Sequence, residues 1–412
     1  MNYGLIGEKL GHSWSVPLHR LIGGYDYLLC ELAPRELDGF FAEKNFCGIN
    51  VTIPYKKAVM KYLDFIDASA EKTGAVNTII NRGGKLFGYN TDYFGLKVCL
   101  GGKISGKTVL IFGTGGTART AGTVCGDIGA AETIFVSRSP KNDEISYSKA
   151  AEKYGGREVF LINATPCGMY PDTDGEICNI SKFRRVVGAF DAIYNPLRTR
   201  FVLLCKERGI SCTGGLYMLA AQGVRSSELF FDTEYPSGKI DEVYEKLLRE
   251  KENIVLIGMP TSTKSTVGRI LSERMGRVLF DCDAEVELSE KISAGEYIER
   301  HGEECFRKKE SEILSYAAKE NGKIIVTGGG AVTKRENIER LRQNGRIFFL
   351  DRPLSLLSAG GGRPLSSTPE KLSALYEKRY PLYLSFCDTK IDASGDALQT
   401  AEKIIAEWEK KR

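Results

Sequence analysis

Two segments of the chain each run from an apolar, β-branched stretch through a short turn into a helical pattern. They are TVLIFGTGGTARTAGTVCG at 108–126 and NIVLIGMPTSTKSTVGRIL at 253–271. A strand, a loop of phosphate size and a helix that starts at the loop form an anion-binding unit, because backbone N–H groups and the helix dipole face the loop. Units of this kind belong to doubly wound parallel sheets, so the sequence predicts two α/β folds in one chain.

The length of 412 residues agrees with more than one hydrophobic core. A turn lies within 230–240, and IDEVYEKLLREKE at 240–252 has the pattern of an amphipathic helix with a charged outer face. We therefore place a domain boundary near 251–253. The final segment, DALQTAEKIIAEWEKKR, repeats apolar residues at helical spacing and predicts a closing helix.

Composition argues against several classes of function. The 57 basic and 53 acidic residues give a net charge of only +4, so there is little electrostatic basis for binding nucleic acid. The first residues, NYGLIG, have the pattern of a strand, and no run of 18 apolar residues follows, so we expect neither a signal segment nor a membrane partner. The 11 cysteines are scattered, odd in number and without a CxxC pair, which favours reduced thiols and a cytoplasmic location. Three dispersed histidines predict no zinc site.

The first loop fits a dinucleotide fingerprint. Gly113, Gly115 and Ala118 follow the strand VLIF with GxGxxA spacing, and Gly116 lies between them. Glycines at this place let backbone amides approach a pyrophosphate at a helix N-terminus.

The next strand indicates which dinucleotide binds. TIFVSRS at 133–139 ends in Ser137 and Arg138, and no acidic residue stands where an NAD enzyme holds the ribose hydroxyls. Arg138 and Arg119 are candidates to clamp a 2′-phosphate, so the sequence favours NADP.

The segment IGEKLGHSWSVPLHR at 6–20 places the hydroxyls of Ser13 and Ser15 close together, and such pairs suit a carboxylate or a polyol. GINVTIPYKKAVM at 48–60 places Lys56 just after a strand and a proline. By its chemistry alone Lys56 cannot be told from Lys57 and Lys61 beside it.

These two segments, with GAVNTI at 74–79, GYNTDYFG at 88–95, INATPCGMYP at 162–171 and GGLYMLAAQG at 214–223, resemble shikimate dehydrogenase over almost all of the first 240 residues. The resemblance implies a substrate-binding and catalytic domain in 1–93 and 220–250, with a Rossmann NADP-binding domain in 94–219. It implies that Lys56 and Asp92 form the catalytic pair, acid in one direction and base in the other. The implied substrate-binding residues are Ser13, Ser15, Thr52, Asn77, Tyr194 and Gln222. The implied cofactor-lining residues are Asn163, Thr165, Gly215 and Met218. Arg20, Pro166 and Cys167 depart from the family's commoner residues, away from the chemistry.

The second loop, GMPTSTKST, keeps Walker A spacing. Gly258 opens it, Lys264 is placed for the β- and γ-phosphates, and the Ser265 hydroxyl is placed for Mg²⁺. The final glycine of the motif is replaced by Thr263.

Downstream come FDCDAEVE at 280–287, HGEECFRKKE at 301–310, VTGGGAV at 326–332, GGGRPL at 360–365 and EKRYPLY at 377–383. This order resembles shikimate kinase and implies a P-loop kinase domain with a parallel sheet in 253–412. The implied shikimate-binding residues are Asp283, Arg307, Gly329, Gly330 and Arg379. The resemblance also places Asp281 near the water shell of Mg²⁺ and the attacking hydroxyl, and Arg363 on a lid that reaches the transferred phosphate.

The sequence thus predicts a bifunctional enzyme that uses NADP(H), ATP and Mg²⁺, with 3-dehydroshikimate and shikimate as substrates. Two alternatives stay open at this point: a dehydrogenase that also uses quinate or prefers NAD, and a C-terminal module that keeps the kinase fold but not its activity. The second rests on Thr261 and Thr263, which occupy positions that the family usually gives to glycine, and on a short lid that lacks an upstream arginine. Strain at these threonines is expected to weaken ATP affinity by about 5- to 150-fold.

Overall fold

The computed structural model describes residues 1–11, 13–360 and 364–410. The chain forms two compact units. The N-terminal unit comprises Met1–Asn195 and Leu204–Leu248, and the C-terminal unit comprises Pro196–Leu203 and Arg249–Arg412. The finer domain boundaries within the first 250 residues stay predictions. Among the described residues, no helix combines the length and apolar character needed to span a bilayer.

The N-terminal unit starts with a mixed sheet of six strands in the order β2-β1-β3-β5-β6-β4. Its strands are β1 (Tyr3–Gly7), β2 (Leu28–Glu31), β3 (Gly48–Val51), β4 (Phe65–Ile66), β5 (Thr78–Arg82) and β6 (Lys85–Tyr89). β1, β2 and β3 are parallel, whereas β5 is antiparallel to both β3 and β6. The helices of this part are α1 (Ser15–Gly23), α2 (Leu37–Glu43), α3 (Ala68–Thr73) and α4 (Thr91–Leu100).

A second sheet, parallel throughout, has the order β12-β11-β10-β7-β8-β9. Its strands are β7 (Thr108–Phe112), β8 (Glu132–Ser137), β9 (Ile145–Ser146), β10 (Glu158–Asn163), β11 (Arg185–Asp191) and β12 (Cys212–Thr213). The accompanying helices are α5 (Gly116–Ile128), α6 (Tyr147–Tyr154), α7 (Arg200–Glu207), α8 (Gly215–Phe231) and α9 (Lys239–Lys251). Val109 to Phe112 are fully buried, as expected for a central parallel strand covered on both faces.

The C-terminal unit contains a parallel five-stranded sheet in the order β14-β15-β13-β16-β17. Its strands are β13 (Asn253–Ile257), β14 (Leu279–Asp281), β15 (Ile324–Val326), β16 (Gly345–Asp351) and β17 (Thr389–Asp392). Its helices are α10 (Lys264–Met275), α11 (Cys282–Glu290), α12 (Ala294–His301), α13 (Glu303–Ala317), α14 (Arg335–Asn344), α15 (Pro369–Phe386) and α16 (Ala397–Glu409). Buried apolar residues cover both faces of β13, so the order of the sheet puts the loop after β13 at the centre of the unit. The prediction of an α/β architecture with Rossmann and P-loop sheets is confirmed.

Candidate active sites

The structure pairs Lys56 with Asp92. Lys56 follows β3 in an irregular loop, and Asp92 lies in the first turn of α4. Nζ of Lys56 donates to Oδ2 of Asp92 over 2.6 Å, and both side chains stay partly accessible. The side chain of Asn90 caps α4 by accepting from the N–H of Tyr93 at 3.1 Å, which fixes the turn that carries Asp92. A helix N-terminus favours a negative charge, so the carboxylate is well placed to hold an ammonium group at the edge of the site.

Two of the predicted substrate-binding residues, Asn77 and Gln222, both contact Thr91. Oδ1 of Asn77 accepts from the N–H of Thr91 at 2.7 Å, and the Thr91 hydroxyl approaches Oε1 of Gln222 at 3.5 Å. Since Thr91 directly precedes Asp92, Asn77 and Gln222 lie next to the turn that carries Asp92.

The other predicted substrate-binding residues keep their status as predictions. Oγ of Ser13 donates to Oγ of Ser15 at 3.1 Å, so the expected pair of hydroxyls is present at the start of α1. Thr52 follows β3, and Tyr194 follows β11, where burial raises the pKa of its phenol. Within residues 1–11, 13–360 and 364–410, no hydrogen bond joins these four residues to the Lys56–Asp92 pair.

Sequence reasoning missed a set of buried polar residues beneath Asn77. Asn50, Thr78, Thr91 and Ser226 are each at most 6% exposed and bond to one another. A signal was present in the chain, because an asparagine inside the buried strand GINV must find hydrogen-bond partners in the core. Ser226 lies one helical turn after Gln222 and therefore on the same helix face, which was a second indication that it belongs to this buried polar set.

The loop after β7 fits a dinucleotide. Gly113 has φ +115°, and a Cβ there would lie 2.8 Å from the carbonyl oxygen of Ala164. Gly115 caps α5 and Gly116 starts it, and a Cβ at either would meet nothing within 4 Å. Backbone N–H groups at this helix start are therefore open to a pyrophosphate.

The predicted 2′-phosphate residues lie at the expected places. Arg119 is on the first turns of α5, and Ser137 and Arg138 end β8 and continue past it. Both arginines are exposed, and neither guanidinium has an ion-pair partner among the residues that the structure describes. They are free to take the phosphate that distinguishes NADP from NAD.

Asn163 and Thr165 hold the neighbouring loop in shape. Nδ2 of Asn163, a fully buried residue, donates to Oδ1 of Asp191 at 3.0 Å. Oδ1 of Asn163 accepts from both the N–H (3.0 Å) and the hydroxyl (2.7 Å) of Thr165. The amide of Asn163 is thus engaged within the protein, where it fixes the conformation of the loop.

Gly215 and Met218 lie at the start of α8. A Cβ on Gly215 would overlap the carbonyl of Ala192, so only glycine fits there. Met218 is 8% exposed and packs in the cluster that includes Ala118 of α5.

In the C-terminal unit, the loop after β13 wraps around Lys264. Its Nζ donates to the carbonyl oxygens of Gly258 (3.0 Å) and Met259 (2.8 Å). Gly258 has φ +153°, and a Cβ there would lie 2.9 Å from the carbonyl oxygen of Leu350. Ser265 is exposed in the first turn of α10 and lines the same cleft as Asp281, as expected of a hydroxyl that serves Mg²⁺.

Thr261 and Thr263 both have the left-handed backbone that makes glycine the usual residue. Their φ values are +63° and +65°. A β-branched residue in this region is strained by about 1–3 kcal/mol. Each hydroxyl makes a hydrogen bond that offsets part of this strain. That of Thr263 donates to the carbonyl of Ser262 at 2.6 Å, and that of Thr261 accepts from the N–H of Ser358 at 3.1 Å.

A cleft of about 810 Å³ opens beside this loop. Gly328, Gly329 and Gly330 line it after β15. Side chains close to these glycines leave no room for a Cβ: on Gly328 it would overlap Glu310, on Gly330 it would overlap Arg307, and on Gly329 it would lie 2.8 Å from Pro260.

Arg307 and Arg379 bring two buried guanidinium groups to the cleft. Arg307 donates to Oε2 of Glu310 at 2.6 Å, and Glu310 is 1% exposed. Arg379 donates to the carbonyl of Gly329 at 3.1 Å, and its Nε is buried without a partner in the part of the chain that the structure describes. A substrate carboxylate would satisfy such a group. Sequence reasoning missed Glu310, although its i,i+3 spacing from Arg307 was visible.

Asp281 and Asp283 lie at the start of α11, on the cleft. Oδ1 of Asp281 caps the helix by accepting from the N–H of Asp283 at 3.1 Å. Enclosure in the cleft and the nearby carboxylate of Glu310 raise the pKa of Asp283 to about 6, although solvent still reaches the side chain through the cleft mouth. The predicted lid arginine, Arg363, lies outside the described residues.

The fold and these sites define the class of protein. The N-terminal unit has the architecture of a dinucleotide-dependent oxidoreductase and carries a lysine–aspartate ion pair, and the C-terminal unit has that of a P-loop phosphotransferase with a cleft beside the loop.

Comparisons with known proteins name both families. The family model of the shikimate dehydrogenase substrate-binding domain matches residues 5–79, and that of shikimate kinase matches residues 260–409. The NADP⁺ shikimate dehydrogenase of Clostridium perfringens strain 13 is 36% identical over 267 residues, which cover 60% of this chain and 97% of the relative.

Solved structures agree. A chorismate mutase/shikimate 5-dehydrogenase fusion protein from Clostridium acetobutylicum is 35% identical, with a TM-score of 0.55, and the match covers 60% of this chain and 96% of that one. A shikimate dehydrogenase in complex with NADP⁺ is 32% identical, with a TM-score of 0.51, and the match covers 60% and 94%. The chain belongs to the shikimate dehydrogenase family, and it carries a shikimate kinase domain in its C-terminal unit.

Proposed function

We propose that the chain catalyses two consecutive reactions of shikimate metabolism. The N-terminal unit reversibly reduces 3-dehydroshikimate to shikimate with NADPH, and the C-terminal unit phosphorylates shikimate to shikimate 3-phosphate with ATP and Mg²⁺. The small-molecule substrates follow from the two families. The scattered, odd cysteine pattern supports a cytoplasmic location as part of this proposal.

The Lys56–Asp92 pair carries the first activity. Bound NADPH would supply a hydride to the carbonyl carbon of the substrate, and the carbonyl oxygen needs a proton from the protein. Lys56 can donate this proton from Nζ, and in the reverse direction it can accept the proton of the hydroxyl. Asp92 keeps Nζ in place at 2.6 Å and stabilises its positive charge.

The cleft beside Lys264 carries the second activity. Arg307 and Arg379, which line the cleft, would bind a carboxylate, and Asp283 would accept a hydrogen bond from a ring hydroxyl. Lys264 and the loop amides would hold the transferred phosphate, and Ser265 with Asp281 would hold Mg²⁺, which would neutralise negative charge on the phosphates.

Lysine substitutions test the first activity. In a 3-dehydroshikimate-dependent assay of NADPH absorbance, we expect Lys56→Ala to lower kcat by at least about 100-fold, since general acid–base catalysis contributes about 100- to 10,000-fold. Lys57→Ala is the matched control, because the adjacent lysine is exposed and should keep wild-type turnover. If kcat of Lys56→Ala stays within a few-fold of wild type, the assignment is wrong.

The cofactor and substrate alternatives have their own test. We expect kcat/KM to be higher for NADP than for NAD and the difference to shrink in Arg138→Ala. Equal values in the wild type would contradict the NADP assignment, and turnover of quinate at a comparable kcat/KM would widen the substrate range.

A further inference from the structure

Three hydroxyl groups meet beneath the dehydrogenase site. We call Thr78, Thr91 and Ser226 the hydroxyl cluster. Their Oγ atoms are 3.1 Å (Thr78 to Thr91), 3.2 Å (Thr78 to Ser226) and 3.1 Å (Thr91 to Ser226) apart. The three residues come from β5, α4 and α8, and none is more than 1% exposed. The cluster therefore joins three separate elements that frame the site.

Asn50 orients the cluster from below. Its Oδ1 accepts from the hydroxyl of Tyr27 at 2.7 Å, so its Nδ2 faces Ser226 (2.8 Å) and Thr78 (2.9 Å). The Tyr27 ring is itself held by stacking on His19, with ring centroids 3.8 Å apart. Ser226 donates to the carbonyl of Gln222 at 2.9 Å, so its oxygen is free to accept a hydrogen bond from a threonine hydroxyl.

The hydroxyl cluster contacts the side-chain amide of Asn77. Oδ1 of Asn77 accepts from the N–H of Thr91 at 2.7 Å and lies 3.2 Å from the hydroxyls of both Thr91 and Thr78. A backbone N–H can only donate, so these contacts determine which end of the amide is oxygen. Nδ2 bonds to no other described residue and is not fully enclosed, so it is directed at the site as a hydrogen-bond donor.

We propose that Thr91 and Ser226 are positioning residues for substrate recognition by Asn77. They act by holding its amide with Nδ2 directed at an oxygen of the substrate. This inference rests on the proposed dehydrogenase function and adds residues that touch neither substrate nor cofactor. Loss of either hydroxyl leaves buried partners unsatisfied and weakens the support of Oδ1 of Asn77, for which the N–H of Thr91 alone does not suffice, so Asn77 presents its donor to the substrate less firmly.

Thr91→Val and Thr91→Ser form one test. Valine keeps the shape and the backbone N–H but removes the hydroxyl, whereas serine keeps it. We expect Thr91→Val to raise the KM for shikimate about 5- to 20-fold, in line with one buried hydrogen bond. The KM for NADP should stay within about twofold, and Thr91→Ser should restore most of the loss. A merely structural defect would raise both KM values or lower the melting temperature without this split.

A double-mutant cycle with Asn77→Ala decides whether Thr91 acts through Asn77. We expect Thr91→Val to raise the KM for shikimate no more than about twofold further once Asn77 is alanine. If the increases in KM for shikimate caused by the two substitutions multiply in the double variant, the inference is wrong. The dehydrogenase function would still stand, because the wild type is active. A wild type without dehydrogenase turnover would instead contradict the proposed function itself.

Ser226 and Ser227 provide a matched pair for the second positioning residue. Both are fully buried on α8, but Oγ of Ser227 bonds to the Tyr235 hydroxyl at 2.9 Å and not to the cluster. We expect Ser226→Ala to raise the KM for shikimate at least about fivefold and Ser227→Ala to leave it within about twofold. Equal effects of the two substitutions would refute a specific role for Ser226. Thermal melting by circular dichroism verifies that each variant is folded.

Discussion

At the scale of single residues, two carboxylates converge on one glycine in the kinase cleft. Glu310 and Asp283 both come so close to Gly328 that a Cβ there would overlap the first and lie 2.8 Å from Oδ1 of the second. Glu310 is buried and paired with Arg307, and the negative charge of its nearby carboxylate opposes ionisation of Asp283. This repulsion adds to the enclosure of Asp283 in the cleft and outweighs the attraction of Lys264, so the pKa of Asp283 rises to about 6.

The raised pKa predicts a pH dependence of the kinase reaction. If Asp283 accepts a hydrogen bond from shikimate as a carboxylate, its ionised fraction falls from about 90% at pH 7 to about 10% at pH 5. We therefore expect kcat/KM for shikimate in an ADP-release assay to fall about tenfold over this range, with a midpoint near pH 6. Asp283→Asn should lower kcat/KM at pH 7 and flatten the profile between pH 5 and 7. An unchanged midpoint in the variant would assign the titration to another group.

The pH dependence of stability should be opposite to that of the kinase reaction: we expect the folded protein to lose stability as pH rises. The pKa of Asp283 is higher in the folded protein than in the unfolded chain, so the protein binds this proton more tightly when folded. The stabilisation is complete at acidic pH and is lost as pH rises through about 6. Asp283→Asn should consequently melt at a higher temperature than wild type at pH 7.

At the scale of elements, the loop between β13 and α10 has to present its backbone amides to a phosphate. Left-handed residues at 261 and 263 give the loop the required shape, and the two threonines adopt it at φ +63° and +65°. Relaxation of either residue out of this region would turn amides away from the phosphate. Strain therefore lowers the fraction of molecules with a binding-competent loop, and the apparent affinity for ATP falls with that fraction.

Thr263→Gly should accordingly improve nucleotide binding. We expect the KM for ATP to fall about 5-fold or more, since relief of about 1 kcal/mol or more is worth that factor. Thr263→Ser is the control, because serine keeps a Cβ and a hydroxyl that can still donate to the carbonyl of Ser262. An identical, low KM for ATP in wild type and Thr263→Gly would show that the hydroxyl fully offsets the strain. Absence of turnover in both proteins at saturating ATP would favour a module that has the kinase fold without the activity.

Local patterns were enough to predict the elements that carry the two loops. β7 with α5 and β13 with α10 follow the predicted segments, because buried parallel strands and amphipathic helices leave strong local signals. The antiparallel pairing of β3 with β5 and the hydroxyl cluster could not be predicted in this way, because each depends on residues distant in sequence, such as Asn50 and Ser226 at a separation of 176. The assignment of Lys56 over Lys57 came only from the resemblance to a family, since the contact with Asp92 is a tertiary one.

At the scale of the whole molecule, the two proposed activities use separate sets of residues. The dehydrogenase residues lie between Ser13 and Gln222, and the kinase residues lie between Gly258 and Arg379. The product of the first reaction is the substrate of the second. Substitution at one site should therefore abolish one reaction and leave the other, and this makes each activity an internal control for folding when the other is mutated.

The last prediction concerns the intermediate between the two reactions. A mixture of Lys56→Ala, which retains the kinase, and Lys264→Met, which retains the dehydrogenase, contains both activities on different chains. If shikimate is released into solution, any kinase site can capture it, and the rate of shikimate 3-phosphate formation depends only on the concentration of each active site. We expect the mixture to match wild type in both lag and steady-state rate when active sites are equal in number, measured by ADP release from 3-dehydroshikimate, NADPH and ATP. Two results together would contradict this expectation: wild type forms product with a shorter lag than the mixture, and its rate resists competition from added inactive Lys56→Ala/Lys264→Met chains. They would show that covalent linkage keeps the intermediate local.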